Sequence, residues 1–177
     1  MSISIVNKNI YLLLGLVAVL LSSCTMKDLK TVKYVDVEQY LGKWYEIASF
    51  PQSFQKGCSC TTAEYSMNDN GSLKVINSCN VEGKRKTVTG KAFVKDKKSN
   101  AKLAVQFFWP FRGKYWIIEL ADNYSYAVVG HPNRKYLWIL SRTPEMDKEL
   151  YEQLLQKVSA KGFDTNKLVV TDQSCWK

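Results

Sequence analysis

The sequence predicts an all-β fold: an eight-stranded antiparallel up-and-down barrel, one C-terminal α-helix packed outside it, and a short final strand. Three observations lead there. Eight short segments of strand pattern succeed one another between turn signals from Trp44 to Arg142. Several carry bulky apolar residues on both faces, as in Tyr115-Trp116-Ile117-Ile118 and Tyr136 to Leu140, so neither face is simply solvated. One helical stripe, Met146, Leu150, Leu154 and Val158, follows them. Eight strands enclose a space fitted to one small ligand.

In chain order, Asp36-x-x-Gln39 is a capping-box-like start for a short helical turn that closes one end. Trp44 to Phe50 is a strand stopped by Pro51. Cys58 to Met67 is the next, closed by the turn Asn68-Asp69-Asn70-Gly71. Alternation resumes at Leu73, Val75 and Asn77, then from Lys84 to Lys95, with Gly90 expected as a bend or bulge. Leu103, Val105 and Phe107 precede the break at Pro110. Lys114 to Ala121, Tyr124 to Gly130 and Tyr136 to Arg142 complete the eight. Thr143 is expected to cap the helix, with Pro144 in its first turn and Gly162 ending it. Lys167 to Thr171 forms the final strand.

The first 23 residues read as a leader. Lys8 is the only charge before residue 24, and the apolar run from Ile10 to Leu21 is too short to span a bilayer. It ends in Leu21-Ser22-Ser23-Cys24, which resembles a bacterial lipobox. That resemblance implies acylation of Cys24, residues 24–34 as a tether, and a folded domain over 35–177. Several acyl chains on one residue anchor stably, so membrane attachment is expected without a span. Thr25 rather than Asp after the cysteine implies the outer membrane of the bacterial cell envelope.

Composition excludes several classes. The 177 residues carry 25 Lys and Arg, 16 Asp and Glu, and one His, for a net charge of +9. The single His131 lies in a Gly130-His131-Pro132-Asn133 turn with no spaced acid partner, which leaves a Ser-His-Asp mechanism without a frame. Cys58-x-Cys60 has the wrong spacing for a zinc knuckle and no His nearby, so no metal or cofactor is implied. Lys84-Arg85-Lys86 and Lys95 to Lys98 are short and fall at hairpins, as solvated turns rather than a nucleic-acid stripe. Without Cys24 four cysteines remain, and an even number in an exported chain implies two disulfides. Three connectivities are open.

Tyr40-Leu41-Gly42-Lys43-Trp44-Tyr45-Glu46 and Tyr136-Leu137-Trp138-Ile139-Leu140-Ser141-Arg142-Thr143-Pro144 resemble the first and last motifs of the lipocalin family. Phe107-Phe108-Trp109-Pro110-Phe111-Arg112-Gly113 is similar to one branch, that of bacterial outer-membrane lipoprotein lipocalins, plant temperature-induced lipocalins and apolipoprotein D. The likeness covers about Val35 to Thr171. The family's second motif departs: Ala121-Asp122-Asn123 keeps only its Asp, with Tyr124 and Tyr126 nearby.

The resemblance implies a barrel closed by Gly42, Trp44 and Arg142, with the guanidinium over the indole. It implies the pairs Cys58–Cys79 and Cys60–Cys175; the rival Cys60–Cys79 with Cys58–Cys175 stays open, because hairpin register also brings 60 near 79. It implies an apolar cavity for a fatty acid or lysophospholipid, serving lipid storage, transport and membrane maintenance under stress. Trp138 and Tyr136 share the alternation of Arg142 and are expected inside. Tyr65 occupies a family pocket position. Phe107, Tyr115, Trp116 and Tyr126 are further wall candidates. Arg112, beside Lys114, is placed either at an anionic head group or in a solvated loop. The alternatives are a lipocalin-type enzyme with Cys58 or Cys60 free as nucleophile, and a surface interaction module; the family leaves a homodimer open.

Overall fold

A computed structural model describes residues 28–176. Cys24, the leader and the first residues of the tether lie outside the described residues. Nine strands alternate with short turns: β1 (Gly42–Ser49), β2 (Ser59–Met67), β3 (Leu73–Val81), β4 (Lys84–Val94), β5 (Lys102–Gln106), β6 (Gly113–Leu120), β7 (Tyr126–Gly130), β8 (Leu137–Ser141) and β9 (Val169–Val170). Each consecutive pair from β1 to β8 is antiparallel, and β8 returns to β1, so the sheet closes. The first strand makes this possible by dividing its length. Its start pairs with β2, Gly42 opposite Tyr65, while Tyr45 to Ser49 pairs with β8 across a bulge between Glu46 and Ala48. Beyond that bulge β9 adds outside, with Ala48 opposite Val170. The all-β barrel with one outer helix is the fold the sequence predicts.

Up-and-down order fixes the two ends. The segment 36–41, the turns 68–72, 95–101 and 121–125, and the residues 142–147 that follow β8 gather at the closed end. The turns 50–58, 82–83, 107–112 and 131–136 surround the open end.

The strands that are apolar on both faces serve two cores. Tyr115, Ile117, Ala127, Val129, Trp138 and Leu140 face the interior. Their neighbours Trp116, Ile118, Tyr126, Val128, Leu137 and Ile139 face outward into a second cluster with the helix. That helix, α2 (Lys148–Ala160), buries Leu154 and Val158 completely. It starts later than Thr143. Asp147 is its N-cap and accepts from the Leu150 amide at 2.9 Å, whereas the Thr143 hydroxyl is used in the preceding turn, donating to the Glu145 carbonyl at 2.7 Å. Gly162, at φ +85°, follows it. Lys161 reaches from its C-terminal end to Glu119 at 3.0 Å.

The short helix α1 (Val37–Tyr40) is capped as expected, with Asp36 accepting from the Glu38 and Gln39 amides. Gly90 makes no bulge. Its pairing with Val75 runs through without a register shift. A Cβ there would lie 2.7 Å from the Gln106 carbonyl and from the Phe107 ring, so the end of β5 and the Phe107 ring occupy the space a side chain would need.

Candidate functional site

The floor of the barrel is built from the two ends of the motif pair. Trp44 is fully buried, and the Arg142 guanidinium lies 3.7 Å from its ring centroid. The cation does not face the indole alone. It donates to the carbonyls of Gln39 (2.7 Å), Lys43 (2.8 Å) and Tyr124 (3.3 Å), tying α1, β1 and the β6–β7 turn together. Burial lowers the Arg142 pKa from its ordinary value, against the opposing effect of Tyr40. The Trp44 Nε1–H donates to the Tyr40 carbonyl at 2.9 Å. Gly42 begins β1 at φ +87°, where a Cβ would lie 3.5 Å from Arg142 Nη1. Where the second family motif departs, Tyr124 still works at this end: its hydroxyl accepts from the Asp36 amide at 2.8 Å.

Above the floor three phenols meet. Tyr65 Oη donates to Tyr115 Oη at 2.9 Å, and Tyr40 Oη lies 2.8 Å from the same oxygen. Sequence reasoning missed Tyr40, because it precedes the first strand and no alternation pattern reaches it. Burial pushes the Tyr65 phenol up to about 12 and raises Tyr40 and Tyr115 well above their usual value. The three stay protonated through neutral pH and supply hydroxyls rather than charge. Their unfolded counterparts ionise near 10, so above that pH the unfolded chain binds fewer protons and stability falls as pH rises. The urea midpoint is therefore expected to drop between pH 10 and 12. Replacing Tyr65 by Phe should flatten that drop, as followed by tryptophan fluorescence.

Around and above the phenols the inward residues are apolar: Val75, Leu103, Ile117, Val129 and Leu140 are buried there, with Phe107 and Trp138 packed on them. The inward parity of β2, β3 and β4 then turns polar towards the open end. Thr61, Asn77, Val81, Lys86 and Val88, with Phe54 to Lys56 of the β1–β2 turn, line a cleft of about 230 Å³. Asn77 Oδ1 is buried in it without a hydrogen-bond partner. A polar chain borders this mouth: the Trp138 indole donates to Gln55 Oε1 (3.5 Å), and Gln55 Nε2 donates to the buried Glu46 carboxylate (2.9 Å). Ser49 and Thr171 complete that carboxylate's donors. Glu46 shares the parity of Trp44, a signal that pointed inward and was not used. A groove of about 460 Å³ lies outside the barrel, between α2 and the C-terminal segment, lined by Met146, Tyr151, Val170 and Gln173.

The structure divides the expected wall residues. Tyr65, Phe107, Tyr115 and Trp138 belong to the interior cluster. Tyr136 stands at the open end, stacked on Trp138 with ring centroids 6.2 Å apart. Trp116 and Tyr126 do not face the lumen. Trp116 pairs with Lys102, whose ammonium lies 4.7 Å from its ring, and Tyr126 pairs with Ser141 on the helix-covered side. Directly paired residues share a face, so both rings are corrected to the outer core. Arg112 lies over the outward ring of Phe93 at 4.7 Å and so meets the outer rim, not the lumen.

The disulfides are Cys58–Cys79 and Cys60–Cys175. The second holds the C-terminal segment in the gap between β1 and β2. There Gln173 Nε2 donates to the carbonyls of both Glu46 and Thr61 at 2.8 Å.

A profile of the lipocalin-like domain matches residues 35–173. The sequence is 43% identical to temperature-induced lipocalin-1 of Arabidopsis thaliana over 84% of each chain. It is 40% identical to the outer membrane lipoprotein Blc of Vibrio cholerae over 89% of this chain and 95% of that one. Among solved structures, insecticyanin of the tobacco hornworm Manduca sexta superposes with a TM-score of 0.68 at 25% identity, covering 82% of this chain and 84% of that one.

Proposed function

The chain belongs to the lipocalin family, and from that premise we propose that it is a membrane-anchored, non-enzymatic carrier for a single-chain lipid. The cargo is a fatty acid or lysophospholipid, held in the barrel for lipid storage, transport and membrane maintenance under stress. The observation that carries this reading is the interior itself. Above the sealed indole floor and its three phenol hydroxyls the wall is apolar, and it turns polar again at the mouth, where Lys56, Lys86, Gln55 and Asn77 stand. Such a gradient suits an amphiphile whose tail is buried and whose head stays near solvent. Apolar burial gives affinity at roughly 25 cal/mol per Å², with no reacting group needed.

The enzymatic alternative requires a thiolate at Cys58 or Cys60. Both sulfurs are joined in disulfides, and His131 Nδ1 accepts from the Asn133 amide in its own turn. Neither arrangement favours nucleophilic chemistry. Anchoring at the outer membrane through Cys24 is supported by the lipobox and by the likeness to an outer membrane lipoprotein.

Two measurements test the reading. A fluorescent fatty acid should bind the purified protein once per chain, and Trp138→Ala should weaken it about tenfold, the loss of one large aromatic wall. In cells, Cys24→Ala should abolish palmitate labelling and release the chain from the membrane fraction. Unchanged labelling, or fluorescence that does not saturate, contradicts the proposal.

A further inference from the structure

We propose that the open end of the barrel docks on an anionic bilayer surface, so that cargo passes between lumen and membrane without crossing bulk water. For that passage the inference rests on the carrier reading; the docking itself rests on the distribution of side chains.

Among the described residues, five of the six exposed aromatic side chains gather at one end; the sixth, Tyr34, is 59% exposed and precedes Val35, whose amide donates to the closed-end Ser99 carbonyl. Phe54, Phe108, Trp109 and Phe111 are 71%, 72%, 86% and 77% exposed, and Tyr136 is 37% exposed. All five stand at the open end, on the β1–β2, β5–β6 and β7–β8 turns. Among the described residues, the closed-end turns 95–101, 121–125 and 142–147 expose no large apolar side chain, and at the 67–72 turn the only one exposed is Met67, at 42%. The β5–β6 turn is held by the Phe111 amide donating to the Phe108 carbonyl at 2.9 Å, which puts Trp109 at its tip.

Charge follows the same axis. The open-end turns 50–58, 82–83, 107–112 and 131–136 contain four Lys and Arg against one acid, Glu82, and Lys84 to Lys86 begin the adjoining β4. The closed-end segments 36–41, 67–72, 95–101, 121–125 and 142–147 contain four against seven Asp and Glu. The protein is therefore basic where it is aromatic and acidic at the other end.

Exposed rings spread over three turns around a circular mouth suit a plane rather than a groove or a helix. Exposed apolar side chains in such a group mark an interaction surface. Trp and Tyr favour the headgroup level of a bilayer, and Lys and Arg beside them add attraction to anionic lipid. An acyl anchor combined with a basic patch is a two-signal arrangement. Of the two, the acyl chains hold the protein to the membrane, and the crown sets which end faces it.

The test uses the full acylated protein in vesicles of phosphatidylcholine and phosphatidylglycerol brominated high on the acyl chain. The emission of Trp109 is obtained by difference from Trp109→Phe. That emission should fall at least twofold with brominated lipid, and its quenching by aqueous iodide should fall at least twofold. Both effects should shrink by half or more in pure phosphatidylcholine or at high salt. Phe108→Ser with Phe111→Ser, at exposed sites the fold does not use, should also halve them while leaving the unfolding midpoint unchanged.

Trp109 that is blind to bromine and open to iodide overturns the proposal, as does equal quenching in neutral vesicles. Protection from iodide that follows protein density rather than lipid would assign the crown to a second copy and equally overturn it. A fluorescent fatty acid titrated into the same vesicles separates the two readings. Saturable binding with Trp109 in water defeats docking alone, and a lipid-buried Trp109 without binding defeats the carrier alone.

Discussion

Replacing Trp44 by Ala is expected to lower the unfolding free energy by about 4 kcal/mol, the range for removing a fully buried large aromatic. The indole is enclosed on all sides. Below it Arg142 loses its ring partner, and beside it the Tyr40 carbonyl loses its donor. Arg142→Ala should also be severe, because the carbonyls of Gln39, Lys43 and Tyr124 lose one shared donor. Arg142→Lys keeps the charge but not the planar fork that reaches three acceptors, so it should recover only part. A double-mutant cycle between the two positions isolates their coupling, expected at about 0.5–2 kcal/mol. Urea unfolding of the four proteins measures it, and additive effects would remove the guanidinium–indole contact from the account of the floor.

Loss of the Cys60–Cys175 bond in the double variant Cys60→Ser with Cys175→Ser should destabilise by about 5 kcal/mol, because it closes a long loop with a sequence separation of 115. The Cys58–Cys79 bond, with a separation of 21, constrains the unfolded chain less, and its removal should cost about 3 kcal/mol. The ranking is one test. The other is local: without the long-range bond, Gln173 loses its hold between Glu46 and Thr61, and hydrogen exchange should rise at the Cys60 and Thr171 amides. Those donate to Asp172 and Ile47. Equal losses from both bonds, with exchange unchanged, would contradict a sealing role for the tail.

The barrel was legible because its strands are apolar on both faces, and a closed sheet with a helix beside it is one arrangement that buries both. The end motifs fixed the parity of β1 and β8, and through Arg142 that of Tyr136 and Trp138. No such marker exists for β6 and β7. Tyr115 and Trp116 are adjacent, bulky and aromatic, and only the pairing with Leu103 and Lys102 decides which turns inward. Tyr126 follows Ser141 for the same reason. Register is a property of two strands, so one strand's sequence cannot supply it. The helix start illustrates a second limit. Thr143 and Asp147 are both competent caps, and the choice lies in where the preceding turn uses its hydroxyl. The loop that carries Arg112 is compatible with an anionic head group or with solvent, while its partner Phe93 lies on the outer face of a different strand.

The most direct test of the central claim, that the interior holds one amphiphile, is native mass spectrometry of the protein purified from its own membrane. The account predicts a species heavier than the acylated chain by one single-chain lipid, lost when a fluorescent fatty acid displaces it. A protein that leaves the membrane with its own mass alone, and that neither binds nor releases any fatty acid, would contradict it.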